Sequence, residues 1–182
     1  MFGYIRSFCR SIFGRISRLL GYKKLIFRSG RLVLVGEVLG EGAFSFVYEA
    51  KCPDENRKYA LKKVFLQSAE FEATVKAEIT AFQQFKHPHI LEMVDYIYID
   101  DARGNKNMVY ILFPLAEKGS LRQHLNNRLS SGLPSADFMR IMKDFRDICD
   151  AVNVLHLYNP AYVHQDIKPD VREMQPCTVF TS

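Results

Sequence analysis

The sequence predicts an α+β fold, with a small antiparallel sheet first and helices after it. Two observations predict it. Between residues 32 and 113 apolar and aromatic residues alternate or run in short blocks, as strands do, whereas beyond Pro114 they recur every three to four residues, as on helices. One helical segment interrupts the strands, and no internal repeat is visible. The 182 residues are 48% hydrophobic and 25% charged, a balance of globular rather than disordered or collagenous chains. No run of about 18 uninterrupted apolar residues is present, which excludes a polytopic membrane protein.

The first element is a basic amphipathic arm over residues 1–30. Phe2, Ile5, Phe8, Cys9, Ile12, Phe13, Ile16, Leu19 and Leu20 share one side of a helix, with Arg and Ser on the other. Residues 1–36 carry eight Lys and Arg and no acid, so this arm is +8 and the remainder −3, although the chain as a whole is +5. Such a helix suits an anionic membrane surface, with arginines among headgroups. A mitochondrial presequence and an ordinary packed helix are the other readings of the same pattern. Cys9, on the apolar face, is either an S-acylation site or a small buried hydrophobe. Nucleic-acid binding is disfavoured: the body is acidic, and the arm lacks a stacking surface separate from its packing face. Cys9, Cys52, Cys149 and Cys177 form no C-x-x-C pair, which argues against a disulfide framework or zinc site and for a reducing, cytoplasmic setting.

The body follows in order. Strands are predicted over 32–39, 44–50 and 59–65, with a turn at 52–56. A helix is predicted over 69–85, where Phe71, Val75, Glu78, Ile79, Phe82 and Phe85 keep helical spacing and His87-Pro88 ends it. Residues 91–99 and 108–113 read as a hairpin around the polar turn 100–105. A short helix over 119–128 and a long one over 135–157 follow. The long one has Phe138, Ile141, Met142, Phe145, Ile148, Cys149, Val152 and Leu155 on one face.

Three motifs carry chemistry. Leu39-Gly40-Glu41-Gly42-Ala43-Phe44-Ser45-Phe46-Val47 is a glycine loop that leads into a strand, whereas a dinucleotide-binding loop would lead into a helix. Glycines at 40 and 42 let backbone N–H groups approach phosphate oxygens. Ala60-Leu61-Lys62 sets an ammonium in an apolar strand, where it needs a partner, and Glu78 on the next helix is the candidate. Lys63 points to the opposite face, and Glu70 and Glu72 read as surface charges. His164-Gln165-Asp166-Ile167-Lys168-Pro169 comes after the long helix: Asp166 can orient or deprotonate a hydroxyl, and Lys168 can neutralise a phosphoryl group in flight.

In this order the motifs resemble those of a eukaryotic protein kinase. G-E-G-A-F-S-F-V-Y, with Ser45 where a third glycine is usual, Y-A-L-K-K, F-K-H-P-H-I-L and L-F-P-L-A-E-K-G-S-L resemble the Numb-associated kinase family, and within it the myristoylated and palmitoylated Ser/Thr kinase branch. The resemblance implies an N-lobe of five antiparallel strands and one helix over 31–113, a hinge at 114–117 and the first helices of an incomplete helical C-lobe over 118–170. It also implies ATP as cofactor, magnesium by family, and a protein substrate that the sequence does not identify. Leu39 to Ser45, with Val47, would cover the phosphates. Ala60 would line the nucleotide pocket, Lys62 would pair the phosphates and Glu78 would hold Lys62. Phe113 would be the gatekeeper, Pro114 and Ala116 the hinge, and Asp166 and Lys168 the catalytic pair. Gln165 stands where kinases regulated by activation-loop phosphorylation carry Arg, which lowers the weight of that control.

The pattern breaks at Val171, where the family places a magnesium-binding Asn, and residues 171–182 contain no D-F-G. The expectation is a chain truncated after the H-x-D-x-K-P motif and inactive in phosphoryl transfer. It leaves Phe138, Met142 and Phe145 partly exposed. The alternative is a non-catalytic membrane-associated interaction module or pseudokinase fragment.

Overall fold

The computed structural model describes residues 23–100, 106–115, 122, 126, 135–158, 162, 163 and 167. The amphipathic arm over 2–20, the loop 101–105, Ala116, Asp166, Lys168, the tail 171–182 and most of the segment 119–128 lie outside the described residues. The chain divides into two compact units. One holds the described residues up to Gln67 together with Met93–Leu115, and the other holds Ser68–Glu92 with the described residues from 116 onward.

The first unit is a sheet of β1 (Lys23–Ile26), β2 (Leu32–Gly42), β3 (Ser45–Cys52), β4 (Arg57–Phe65), β5 (Asp95–Asp100) and β6 (Lys106–Pro114). Its order is β1-β2-β3-β4-β6-β5, with every neighbouring pair antiparallel. Six strands stand where the sequence leads one to expect five. The additional strand, β1, falls inside the segment 1–30 read as arm, because four residues beginning with two lysines are too short to show alternation. Tertiary contacts make it a strand. Leu25 and Phe27 are buried against Val33, and the Lys23 ammonium donates to the Tyr110 hydroxyl at 3.0 Å.

One face of the sheet has its own core of Leu25, Phe27, Val33, Ala50, Cys52, Tyr59, Leu61, Tyr110 and Leu112. β6 is buried on both faces from Val109 to Phe113. Its sequence is accordingly a continuous apolar run rather than an alternation. Cys52, one of the free cysteines, is buried and its thiol is pushed up by that burial; Cys149 is free and exposed.

The two turns at one end of this sheet are joined by side chains. Arg31 Nε donates to Glu55 Oε1 at 2.8 Å, the Tyr59 hydroxyl donates to the other Glu55 oxygen, and Ser29 Oγ donates to Asp95, which also faces Arg31. Asn56, at φ 48, takes the left-handed conformation that closes the β3–β4 turn and brings Glu55 into place. The Glu55 carboxyl is held below the usual carboxylate range, first by the Tyr59 hydroxyl and then by Arg31. The Tyr59 phenol is pushed up, first by burial and then by Glu55.

The second unit contains α1 (Ala69–Gln84) and α2 (Ser135–His156). Ser68 caps α1, its side chain accepting the Phe71 N–H at 3.2 Å, and Glu70 and Glu72 occupy the first turn where the helix dipole favours anions. The helix ends at Phe85, whose N–H donates to the Ala81 carbonyl before the chain extends. Ala81, Phe85 and Ile90 pack on Ala151 and Leu155 of α2, with Tyr158 and Tyr162 edge-on to the Phe85 ring. The buried face of α2 is therefore the one carrying Asp147, Ala151 and Leu155. Of the face the sequence marks as apolar, Phe138, Met142 and Phe145 are exposed, as expected.

The shifts of Glu55 and Tyr59 bound the stability of the sheet unit on both sides. Glu55, lowered on folding, contributes fully above the ordinary carboxylate value of about 4.3 and loses that contribution as pH falls through its folded value. Tyr59, raised on folding, contributes fully below about 10 and loses it as pH rises. Glu55→Gln is expected to cost about 1 kcal/mol at pH 7 in urea titration, because partly exposed charge-assisted bonds are worth little more. It is also expected to flatten the acid limb and to lower the alkaline midpoint of Tyr59 followed at 295 nm.

Candidate functional site

Cross-strand pairs place the predicted residues. Gly40 pairs with Val47, Val47 with Lys62 and Lys62 with Ile111, so a single row crosses β2, β3, β4 and β6. One row further along, Glu49 pairs with Ala60 and Ala60 with Phe113. Cross-strand partners share a face, and so do residues two apart. Val47, Ala60, Lys62 and Phe113 therefore lie on one face of the sheet, opposite the face carrying Tyr48, Leu61 and Leu112. Lys63 is on that opposite face as expected, its ammonium 4.2 Å from the centroid of the Phe65 ring.

The glycine loop is the hairpin between β2 and β3. Gly42 pairs with Ser45, which leaves Ala43 and Phe44 at the tip, and Phe44 is 47% exposed. The Phe44 carbonyl accepts the Phe65 N–H at 3.0 Å, which ties the tip to the end of β4. A Cβ added at Gly40 would meet nothing within 4 Å, whereas one at Gly42 would come to 2.9 Å from Ser45 Oγ. The two glycines thus differ in purpose. Gly42 leaves room for the turn itself, and Gly40 keeps an open approach to backbone, which is what phosphate oxygens need.

Leu39 and Gly40 are half-buried, and Glu41, Gly42 and Ala43 are exposed. Phe113 is buried, and Pro114 closes β6 opposite Tyr59, a register position at the end of the ladder that suits a residue without an N–H. Glu78 is buried at 3% exposure on α1, which separates it from the exposed Glu70. It belongs to the helical unit and Lys62 to the sheet unit. The sequence reading took His87-Pro88 as a helix terminator and F-K-H-P-H-I-L as part of the family resemblance. It missed that His87 faces Asp150 at 3.4 Å and His89 faces Asp147 at 3.8 Å. The available signal was two histidines two residues apart and two aspartates three apart on a helix.

The profile of the protein kinase domain matches residues 33–170. The chain belongs to the protein kinase family. A probable serine/threonine-protein kinase of Dictyostelium discoideum is 34% identical over 140 residues, covering 74% of this chain and 38% of that protein. The serine/threonine-protein kinase ppk30 of Schizosaccharomyces pombe is 30% identical over 137 residues, covering 75% of this chain and 14% of the relative. The serine/threonine-protein kinase PLK4 of Drosophila virilis is 29% identical over 136 residues, covering 73% and 16%. The chain therefore spans well under half the length of these relatives. The kinase assignment and the α+β N-lobe expected from the sequence agree with these matches.

The open space at Gly40 separates binding from folding in a mutational test. Gly40→Ala is expected to leave the thermal midpoint nearly unchanged while weakening binding of a fluorescent ATP analogue. Gly42→Ala, which would require only the Ser45 hydroxyl to rotate away, is likewise expected to leave the midpoint nearly unchanged.

Proposed function

We propose that this domain serves ATP-dependent phosphoryl transfer to serine and threonine hydroxyls, and that this chain supplies its nucleotide-binding half. The observation that carries the reading is the row Gly40, Val47, Lys62 across three strands, which sets an open backbone cradle, an apolar cover and an ammonium in line on one face. ATP, when bound, supplies the γ-phosphoryl group. Lys62 holds phosphate oxygens by charge, Val47 with the glycine loop covers them, Ala60 lines the nucleotide pocket, and Phe113 limits the depth of the pocket. Asp166 orients the acceptor hydroxyl and takes its proton, and Lys168 offsets charge on the moving group.

The family uses magnesium, but the residues here do not fit it. Val171, at the position of the family's asparagine, offers no oxygen. Residues 1–182 are therefore read as binding nucleotide without efficient transfer.

Two finer readings rest on sequence. G-E-G-A-F-S-F-V-Y and L-F-P-L-A-E-K-G-S-L support the Numb-associated branch, and the acid-free arm of 2–20 supports peripheral attachment to anionic membranes from the cytoplasmic side. Co-sedimentation with vesicles containing phosphatidylserine tests the second, and binding that survives deletion of residues 1–22 would remove it.

Isothermal titration with an ATP analogue tests the central reading. Lys62→Met should weaken affinity about tenfold, a loss typical of a charge-assisted contact. Transfer of labelled γ-phosphate to a generic substrate should be absent for the chain as it stands; transfer that disappears in Asp166→Asn would overturn the assignment of a binding-only chain.

A further inference from the structure

α1 and the His87-Pro88-His89 loop form one compact unit with α2. The face of α2 that packs on them is apolar at Ala151 and Leu155 but carries a carboxylate, Asp147, which is 9% exposed. A buried charge is costly unless paired. Arg146, next to it on the same helix, donates from Nη2 at 3.0 Å and from Nε at 3.3 Å, and with His89 and Lys143 nearby the Asp147 carboxyl is held below the usual range. A pair with Arg146 carries no tertiary information, since both residues sit on α2. His89, 3.8 Å away, is the partner that reaches another element.

The second contact runs parallel to the first. Asp150 lies nearly one turn beyond Asp147, and its carboxylate is 3.4 Å from His87 Nε2. The loop between the two histidines is itself stiff. Ile90 N–H donates to the His87 carbonyl at 3.0 Å, and His89 N–H donates to His87 Nδ1 at 3.3 Å, which fixes the ring with Nε2 facing Asp150. Two contacts at separate points set both the position and the orientation of a rigid loop, whereas one would leave it free to swivel. The flanking Lys86–Glu92 pair is exposed and adds little.

We propose that Asp147, with Asp150 in support, is a positioning residue for α1: it holds the loop that ends the helix carrying Glu78, and so sets where Glu78 is presented. The catalytic consequence rests on the kinase reading above, in which Glu78 orients Lys62. Asp147 is the larger contributor because it is buried, while Asp150 is 62% exposed and its contact is correspondingly weak.

The experiment uses the full chain as wild type, Asp147→Asn, Asp147→Asn with Asp150→Asn, Asp150→Glu, and Asp144→Asn as a control carboxylate elsewhere on α2. Hydrogen exchange is followed by peptide mass spectrometry, and ATP-analogue affinity is measured on the same samples. The double variant should exchange about tenfold faster over 79–90, with β3 and β4 unchanged, and should bind nucleotide several-fold more weakly. Asp150→Glu should behave as wild type, and so should Asp144→Asn. Unchanged exchange over 79–90, or an acceleration equal across the sheet, overturns the positioning role. A wild-type chain that binds no nucleotide overturns the kinase reading and the catalytic consequence, while the exchange results decide the positioning of α1 separately.

Discussion

The uninterrupted register between β3 and β4, from Ser45 opposite Val64 to Cys52 opposite Arg57, is the constraint on which both the core and the site depend. Side chains alternate along each strand, so the register assigns Tyr48, Ala50, Tyr59 and Leu61 to the hydrophobic face and Val47, Ala60 and Lys62 to the other. A slip of one residue on both strands would exchange the faces and bury the Lys62 ammonium among apolar side chains. The ends of the pair are held against such a slip. At one end Phe65 donates to the Phe44 carbonyl, and at the other Glu55 takes bonds from Tyr59 and Arg31.

β2 shows the opposite behaviour, and the site needs it. Continuing the register set by Val35 opposite Ala50 would bring Gly40 opposite Ser45. Two register shifts, on either side of Val38, bring it opposite Val47 instead. The irregularities thus set the glycine in line with Lys62 rather than at the hairpin tip, a use of bulges that accords with their frequency beside functional sites. Val38, between the shifts, is 56% exposed, as expected for a residue that a bulge turns away from the core.

α1 lies between strands in sequence but belongs to the helical unit, because Ala81, Phe85 and Ile90 bury their surface on α2. The two groups expected to cooperate at the phosphates, Lys62 and Glu78, are consequently carried by different units. Register holds the lysine, and packing against α2 together with the Asp147 and Asp150 contacts holds the helix of the glutamate.

Much of this was legible in the sequence. Alternation separated Lys62 from Lys63, helical spacing chose Glu78 over Glu70, and the glycine loop leading into a strand excluded the dinucleotide-binding alternative. What the residues determined by themselves was element type, facing and the chemistry available, since these follow from spacing within a few residues. The tertiary structure alone decided that β1 exists, that two register shifts move Gly40, that α2 buries Asp147 and Ala151, and that His89 meets Asp147. Each of these depends on surface supplied by a distant segment. The free energy of burying or pairing a side chain has no value until that partner is in place.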